Sequence, residues 1–216
     1  MQNNLRTFTK AIDDIERKII EMADITGQEL QLAVHSLTDR EKNNHCQQVL
    51  QLDRQVDDYD YQIYSSIIEL ILIQPPLPVE LKTLTIMNRI SREYERIGDQ
   101  AVNIADLAAV TKLSGGSRLY QELKEMCDLT TSMLASSIYG IQEKDPSIAE
   151  KMEKQEDEVD QYFHRLHQYI VDEMRHEPEQ IGSLANLLLV SRYLERSADH
   201  VVNVTRQVTQ MVHMLA

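Results

Sequence analysis

Hydrophobic residues recur along this chain at alternating intervals of three and four. In the first segment they fall at Leu5, Phe8, Ile12, Ile15, Ile19 and Met22. That spacing places them on one face of an α-helix. Similar stripes run from Val49 to Ile73 and from Leu81 to Ile104. The pattern predicts three long amphipathic helices, and the prolines between residues 74 and 78 forbid continuation of the second.

The remainder of the chain repeats this arrangement. The segment 114–116, Ser-Gly-Gly, is suited to end the third helix. Asp145 and Pro146 are suited to the N-cap and first position of a fifth helix. The fourth and sixth helices are predicted to begin near Ser117 and Glu179. The fold class is therefore predicted to be all-α, with two tandem three-helix bundles, residues 1–114 and 115–216, related by internal duplication.

Two segments 100 residues apart support the duplication. Residues 91–103 read SREYERIGDQAVN and residues 191–203 read SRYLERSADHVVN, with identity at 7 of 13 positions. A generic heptad pattern would repeat leucine rather than asparagine. The predicted second helices match more weakly, LDRQVDDYD at 52–60 with QEDEVDQYF at 155–163. Both comparisons indicate that each half carries the same polar features.

Those features are acidic pairs spaced four residues apart, two in each half. Such residues share a helix face, and their repulsion costs an isolated helix roughly 0.2–0.5 kcal/mol per pair. Repulsion grows where pairs face each other across a bundle, so we expect a cation between them. Oxygen ligands favour magnesium, calcium, manganese or ferric iron. The candidate metal ligands are Asp53, Asp57, Glu95, Asp99, Glu156, Asp160, Glu195 and Asp199.

Neighbouring residues modify this prediction. Arg92 and Arg192 precede the acidic pairs of the third and sixth helices by one turn, and each could neutralise one carboxylate through a bidentate pair. His200 follows Asp199, whereas Gln100 holds the matching place in the first half. Histidine would add zinc to the candidate cations. The two sites are therefore expected to differ in their ligands.

Other interpretations of the acidic pairs remain open. Acidic residues on helices usually lie on solvated faces, and Glu95 and Glu195 could simply form surface ion pairs with arginine. The protein would then be a metal-free helical adaptor. A carboxylate-bridged metal enzyme is a further alternative, because such sites activate water or oxygen. The ferritin-like pattern needs Glu-x-x-His on two helices, however, and the chain offers it once, at Glu173 and His176.

Composition narrows the setting. The chain has 35 acidic and 22 basic residues among 216, a net charge of −13. That balance opposes binding to nucleic acid or to an anionic membrane. Cys46 and Cys127 form no CxxC pair and indicate free thiols in a reducing compartment. No apolar run is long enough to span a bilayer, so a soluble, cytoplasmic protein is expected.

The segments YERIGDQAVNIA at 94–105 and YLERSADHVVNVT at 193–205 resemble the two halves of a PhoU family protein. The resemblance covers essentially the whole chain. It implies paired three-helix bundles whose acidic motifs bind multinuclear iron or other metal ions, with zinc, manganese and magnesium as further candidates. It assigns the first four acidic residues to one site and the last four to the other, with Asn103 and Asn203 as accessory residues. The family commonly has Gly-Asp-His where this chain has GDQ and ADH.

The resemblance also implies a regulatory role rather than catalysis. PhoU proteins restrain the phosphate-starvation response and phosphate uptake. They do so by engaging the phosphate ABC transporter, through its ATPase subunit, and a sensor histidine kinase at the inner face of the membrane. Contact with the membrane is expected only through these partners. Apolar surface left over from two small bundles makes a homodimer plausible.

Overall fold

The computed structural model describes residues 2–38, 42–111 and 117–215, and the side chains of residues 8–38, 44–111 and 117–214. The described residues form six α-helices and include no strand. A 3₁₀ turn, Pro178–Gln180, precedes the sixth helix. The predicted all-α class is therefore confirmed. The helices are α1 Gln2–His35, α2 Lys42–Ile73, α3 Pro78–Val110, α4 Arg118–Glu143, α5 Ile148–His176 and α6 Ile181–Leu215.

The helices form two bundles that share a core. Helices α1, α2 and α3 pack on one another, as do α4, α5 and α6. Helix α3 also packs along α6, and α1 lies against α4, so the bundles join over their long sides. Buried residues of α3 therefore face both bundles, and Tyr94 in α3 hydrogen-bonds Ser137 in α4 at 2.9 Å. The proposed division at residues 114 and 115 remains a prediction, and it lies outside the described residues.

The start of α5 differs from the prediction. Helix α4 ends at Glu143, the C-cap residue Lys144 is left-handed with a φ of 52°, and α5 begins at Ile148. Asp145 caps the intervening turn instead of the helix, because its Oδ1 accepts a hydrogen bond from the backbone N–H of Ser147 at 2.9 Å. A Cβ atom on Gly140 would lie 3.0 Å from Ile148 Cγ2. The close approach of the two helices at this glycine leaves room only for a tight turn.

Most predicted core positions are buried, but two near the proline turn are not. Ile73 is 81% exposed and Leu81 is 44% exposed. They lie at the end of α2 and near the start of α3, on either side of the proline turn. The predicted stop of α3 at 114–116 lies outside the described residues, and α3 ends at Val110. No helix in the described part of the chain is long and apolar enough to cross a membrane.

Candidate metal centre

Helices α2 and α3 bring the first four predicted acidic residues together, which we call the first quartet. Asp53 and Glu95 are half-buried, whereas Asp57 and Asp99 are exposed. Burial, followed by the charges of Asp57 and Asp99, raises the pKa of Asp53 to about 6. Burial and the charge of Asp99 also raise the pKa of Asp57. These mutual effects show that the carboxylates share one electrostatic environment.

Helices α5 and α6 form the matching second quartet, and all four of its carboxylates are half-buried. Burial, followed by the charges of Asp160 and Asp199, raises the pKa of Glu156. Burial also raises the pKa of Glu195, although Arg192 opposes the shift. The Oε2 atom of Glu195 is buried and has no hydrogen-bond partner among the described residues. The structure thus brings the predicted acidic residues of each half near one another, and their role as metal ligands stays a prediction.

A fifth carboxyl group, which the sequence reasoning missed, lies beneath the first quartet. Glu29 of α1 has no exposed surface, and neither of its side-chain oxygens has a hydrogen-bond partner within the described part of the chain. Burial, followed by the charges of Asp53, Asp57 and Asp99, raises the pKa of Glu29 to about 10. The raised pKa favours the neutral form of Glu29 when no cation is present. A cation beside it would favour the charged form.

Gly98 of α3 makes space for this carboxyl group. A Cβ atom placed there would lie 3.2 Å from Oε2 of Glu29 and 3.6 Å from Oδ1 of Asp53. The second repeat has Ala198 at the matching position, and it is fully buried. At the position that aligns with Glu29, α4 carries Met133, which is also fully buried. The first repeat therefore pairs a glycine with a buried acid, whereas the second has alanine and methionine at the aligned positions.

A signal for Glu29 was present in the sequence. Residues 22–30, MADITGQEL, align with residues 126–134, MCDLTTSML, with identity at 4 of 9 positions. Within that alignment Glu29 is opposite Met133, and both side chains have no exposed surface. Glu29 also falls in the three-and-four register of Met22, Thr26 and Ala33, which are buried. An acid at a core position of an amphipathic stripe is the feature that would have found it.

Arg92 and Arg192 make different contacts with the acidic residues of their quartets. Arg92 Nη1 lies 2.8 Å from Oδ2 of Asp60 and 3.6 Å from Oε1 of Glu95. Its counterpart Arg192 hydrogen-bonds Glu195 directly. The Arg192 guanidinium carbon lies 5.8 Å from the ring centre of Phe163, the residue at the position of Asp60. Asp60 thus draws the arginine away from the first quartet, whereas Arg192 neutralises part of the second.

Comparison with known proteins decides the family. The model of the PhoU domain matches this chain twice, over residues 19–108 and 123–208. The chain belongs to the PhoU family. The matches cover more than half of the sequence, and each lies within one of the two three-helix repeats. The family resemblance of the sequence motifs is therefore confirmed.

Curated PhoU relatives span nearly the same length. The chain is 27% identical over 206 residues to a phosphate-specific transport system accessory protein PhoU homolog of Methanothermobacter thermautotrophicus, covering 95% of this chain and 94% of the relative. It is 24% identical over 210 residues to the homolog of Clostridium acetobutylicum, covering 96% and 94%. These relatives are named as accessory proteins of a transport system. The family is thus one of accessory proteins rather than enzymes.

Solved PhoU structures share the fold. The crystal structure of PhoU from Pseudomonas aeruginosa superposes with a TM-score of 0.86 at 21% identity, covering 95% of this chain and 99% of that one. The phosphate transport system regulatory protein PhoU from Streptococcus pneumoniae gives 0.84 at 20% identity, covering 94% and 96%. The duplicated three-helix architecture is therefore the PhoU fold.

The histidine predicted for the second PhoU repeat serves another contact. His200 Nδ1 lies 2.8 Å from Oε2 of Glu93, and the Asn203 amide donates to the same oxygen at 3.2 Å. Glu93 is in α3, so both residues hold the two repeats together. Asn103 donates to the backbone carbonyl of Asp99 at 2.8 Å. These contacts use one ring nitrogen of His200 and the amide donors of the two asparagines, and the roles of all three residues at a metal site stay predictions.

The quartets fit a hard cation in chemistry. Within the described residues, no group of three or more His, Cys, Asp or Glu side chains is arranged to hold a metal ion as it stands. The donors are nevertheless carboxylate oxygens alone, the kind that magnesium, manganese and ferric iron prefer. The buried oxygens of Glu29 and Glu195 are without hydrogen-bond partners among the described residues. A cation would compensate these groups and reverse the repulsion between neighbours.

The single Glu-x-x-His motif does not extend either quartet. His176 lies in the last turn of α5, and its Nδ1 is 2.8 Å from the backbone carbonyl of Asp172. Both this histidine and its surroundings are exposed. The ferritin-like arrangement needs inward-facing motifs on two helices. The geometry of this motif therefore gives no support to the alternative of a carboxylate-bridged metal enzyme of the ferritin-like kind.

Proposed function

We propose that this protein restrains phosphate uptake and the phosphate-starvation response as a metal-binding helical adaptor. The observation that carries the proposal is the pair of acidic quartets at equivalent places in a duplicated PhoU fold. The relatives' names tie them to the phosphate-specific transport system. The ion held would be iron, zinc, manganese or magnesium, and the residues that would hold it are the eight acids of the two quartets.

The proposed partners are the ATPase subunit of the phosphate ABC transporter and a sensor histidine kinase, reached at the inner face of the membrane. Charge supports such docking, because a net charge of −13 favours encounters with basic partner surfaces. Exposed apolar side chains near the turn between α2 and α3 offer a contact surface: Leu72 is 79% exposed and Leu77 is 63% exposed. The same side chains support a homodimer.

Deletion of the gene in its host should derepress the phosphate-starvation response. Alkaline phosphatase activity in phosphate-rich medium is expected to rise because the restraint on the sensor kinase is lost. The wild-type gene should restore repression. A deletion strain that carries the gene with both Glu95→Ala and Asp99→Ala should regain repression only in part. Unchanged repression in the deletion strain would contradict the regulatory proposal.

Protein purified without chelator should contain bound metal, and the variants Glu95→Ala and Asp99→Ala should contain less, because each removes a carboxylate ligand. Elemental analysis by mass spectrometry measures the metal content per chain. The matched control is Asp172→Ala, which removes an exposed aspartate paired with Arg175 at 2.8 Å, outside both quartets. Equal metal content in Asp99→Ala and Asp172→Ala would argue against metal binding by the first quartet.

A further inference from the structure

The two acidic clusters are not equal in number of carboxyl groups. The first consists of its quartet and Glu29, whose Oε2 lies beside Gly98 on the same side as Oδ1 of Asp53, and the second consists of a quartet alone. Met133 fills the place of Glu29 in the second repeat, also with no exposed surface. A methionine thus fills the aligned core position of the second repeat without an acidic group. Packing by itself gives no reason for an acid at Glu29.

Glu29 is unfavourable for folding as it stands. Burying a carboxyl group without a hydrogen bond costs free energy, and burying it beside other carboxylates costs more. Both of its oxygens lack a hydrogen-bond partner among the described residues, and Oε2 is on the side of Gly98 and Asp53. An acid retained at such a cost needs a compensating group of opposite charge. The side chain is aimed at the first quartet, where that group would sit.

The arginine contacts strengthen the same asymmetry by a separate route. In the first repeat Asp60 holds Arg92 at 2.8 Å, and Glu95 is 3.6 Å from that guanidinium. In the second repeat Arg192 is hydrogen-bonded to Glu195. Glu95 of the first quartet is therefore less neutralised than Glu195 of the second. Cation affinity at oxygen sites rises with the number of charged ligands.

We propose that Glu29 is a metal ligand of the first quartet, and that this five-carboxylate cluster binds a hard divalent or trivalent cation more tightly than the second quartet does. This inference rests on the proposed binding of metal ions by the quartets. It assigns a ligand to α1, whereas the motifs of the sequence lie on α2, α3, α5 and α6. It also makes the two repeats functionally unequal, with the first filled at lower metal concentration.

The test is titration of the full chain with Mn²⁺, followed by electron paramagnetic resonance of the free ion. Wild-type protein should show two classes of site. Glu29→Gln, which keeps the shape and removes the charge, should weaken the tighter class by at least about tenfold and leave the weaker class unchanged. The matched variant Glu195→Gln should weaken the other class. Circular dichroism verifies folding, and Glu29→Met serves as a second variant with the same expected result.

The outcomes separate this inference from the proposed function. If Glu29→Gln and Glu29→Met bind Mn²⁺ at both classes as wild type does, the assignment of Glu29 is overturned while metal binding by the quartets stands. If Glu195→Gln, rather than the Glu29 variants, weakens the tighter class, the order of the two sites is overturned. If wild-type protein binds no Mn²⁺, the inference and the metal-binding part of the proposed function are both overturned.

Discussion

Replacing Glu29 with methionine should stabilise the metal-free protein, by about 3–5 kcal/mol at pH 8. The folded-state pKa of Glu29 is raised from 4.5 to about 10 by burial and then by the charges of Asp53, Asp57 and Asp99. As the pH rises above 4.5, the unfolded chain loses this proton while the folded chain keeps it. Wild-type stability therefore falls with pH relative to Glu29→Met, by up to about 1.4 kcal/mol per pH unit.

Urea unfolding in the presence of a chelator, at several pH values between about 5 and 9, measures this difference. The control is Leu30→Met, which places methionine at the neighbouring buried position. It should cost less than about 1.5 kcal/mol, with no dependence on pH. A Glu29→Met variant less stable than wild type at every pH would contradict the prediction. If Glu29→Met is more stable than wild type and binds Mn²⁺ more weakly, Glu29 contributes to metal binding and not to the stability of the fold.

Replacing Glu93 with alanine should destabilise the protein by about 2–4 kcal/mol at neutral pH. Glu93 is 15% exposed and His200 is 13% exposed, and their contact joins α3 of one repeat to α6 of the other. The Asn203 amide donates to Oε2 of Glu93, the oxygen that His200 also contacts. Arg96 Nη1 lies 3.2 Å from the other carboxylate oxygen, Oε1. Removal of the carboxylate leaves His200 and Asn203 without this acceptor at a largely buried interface.

The stability lost in Glu93→Ala should shrink as the pH falls, because the pKa of Glu93 in the folded protein is lowered. Burial alone would raise the pKa of Glu93, but the hydrogen bonds from His200 and Asn203 outweigh it and the pKa is lowered. The stabilisation is therefore complete above the unfolded value of about 4.5 and disappears as the pH falls through the folded value. Thermal unfolding of wild type and Glu93→Ala between pH 3 and 7 measures the difference in free energy.

An exposed ion pair provides the control for this prediction. Glu150 lies 2.8 Å from Lys154, with both side chains more than 70% exposed. Glu150→Ala should change the free energy of unfolding by less than about 1 kcal/mol, because solvent screens such pairs. Equal effects of Glu93→Ala and Glu150→Ala would mean that the contact between repeats contributes no more than a surface pair.

Local spacing explains why the grouping of the acidic residues into two quartets could be predicted. Asp53 with Asp57, and Glu95 with Asp99, share a helix face whatever the helix packs against, because side chains four residues apart always do. The apolar stripe beside each pair then turns that face toward the neighbouring helix. The repeat at residues 91–103 and 191–203 supplied the second quartet by the same rule.

Glu29 and the partners of the polar side chains needed tertiary information. Glu29 is 24 residues from Asp53 and comes from a helix without an acidic pair, so spacing along one helix gives no link between them. His200 follows Asp199 in sequence, but a rotation of about 100° per residue turns it toward α3 and Glu93. The competition of Asp60 and Glu95 for Arg92 likewise depends on how α2 and α3 are aligned.

Sequence patterns were sufficient for the six helices, the duplication, the family and the grouping of the acidic residues into two quartets, because each follows from periodicity within one helix or from identity between repeats. The tertiary structure adds that Glu29 lies beside the first quartet, that His200 contacts Glu93 of the other repeat, and that the arginines neutralise the quartets unequally. These are relations between helices, and they depend on the axial and rotational register with which packed side chains fix one helix against another.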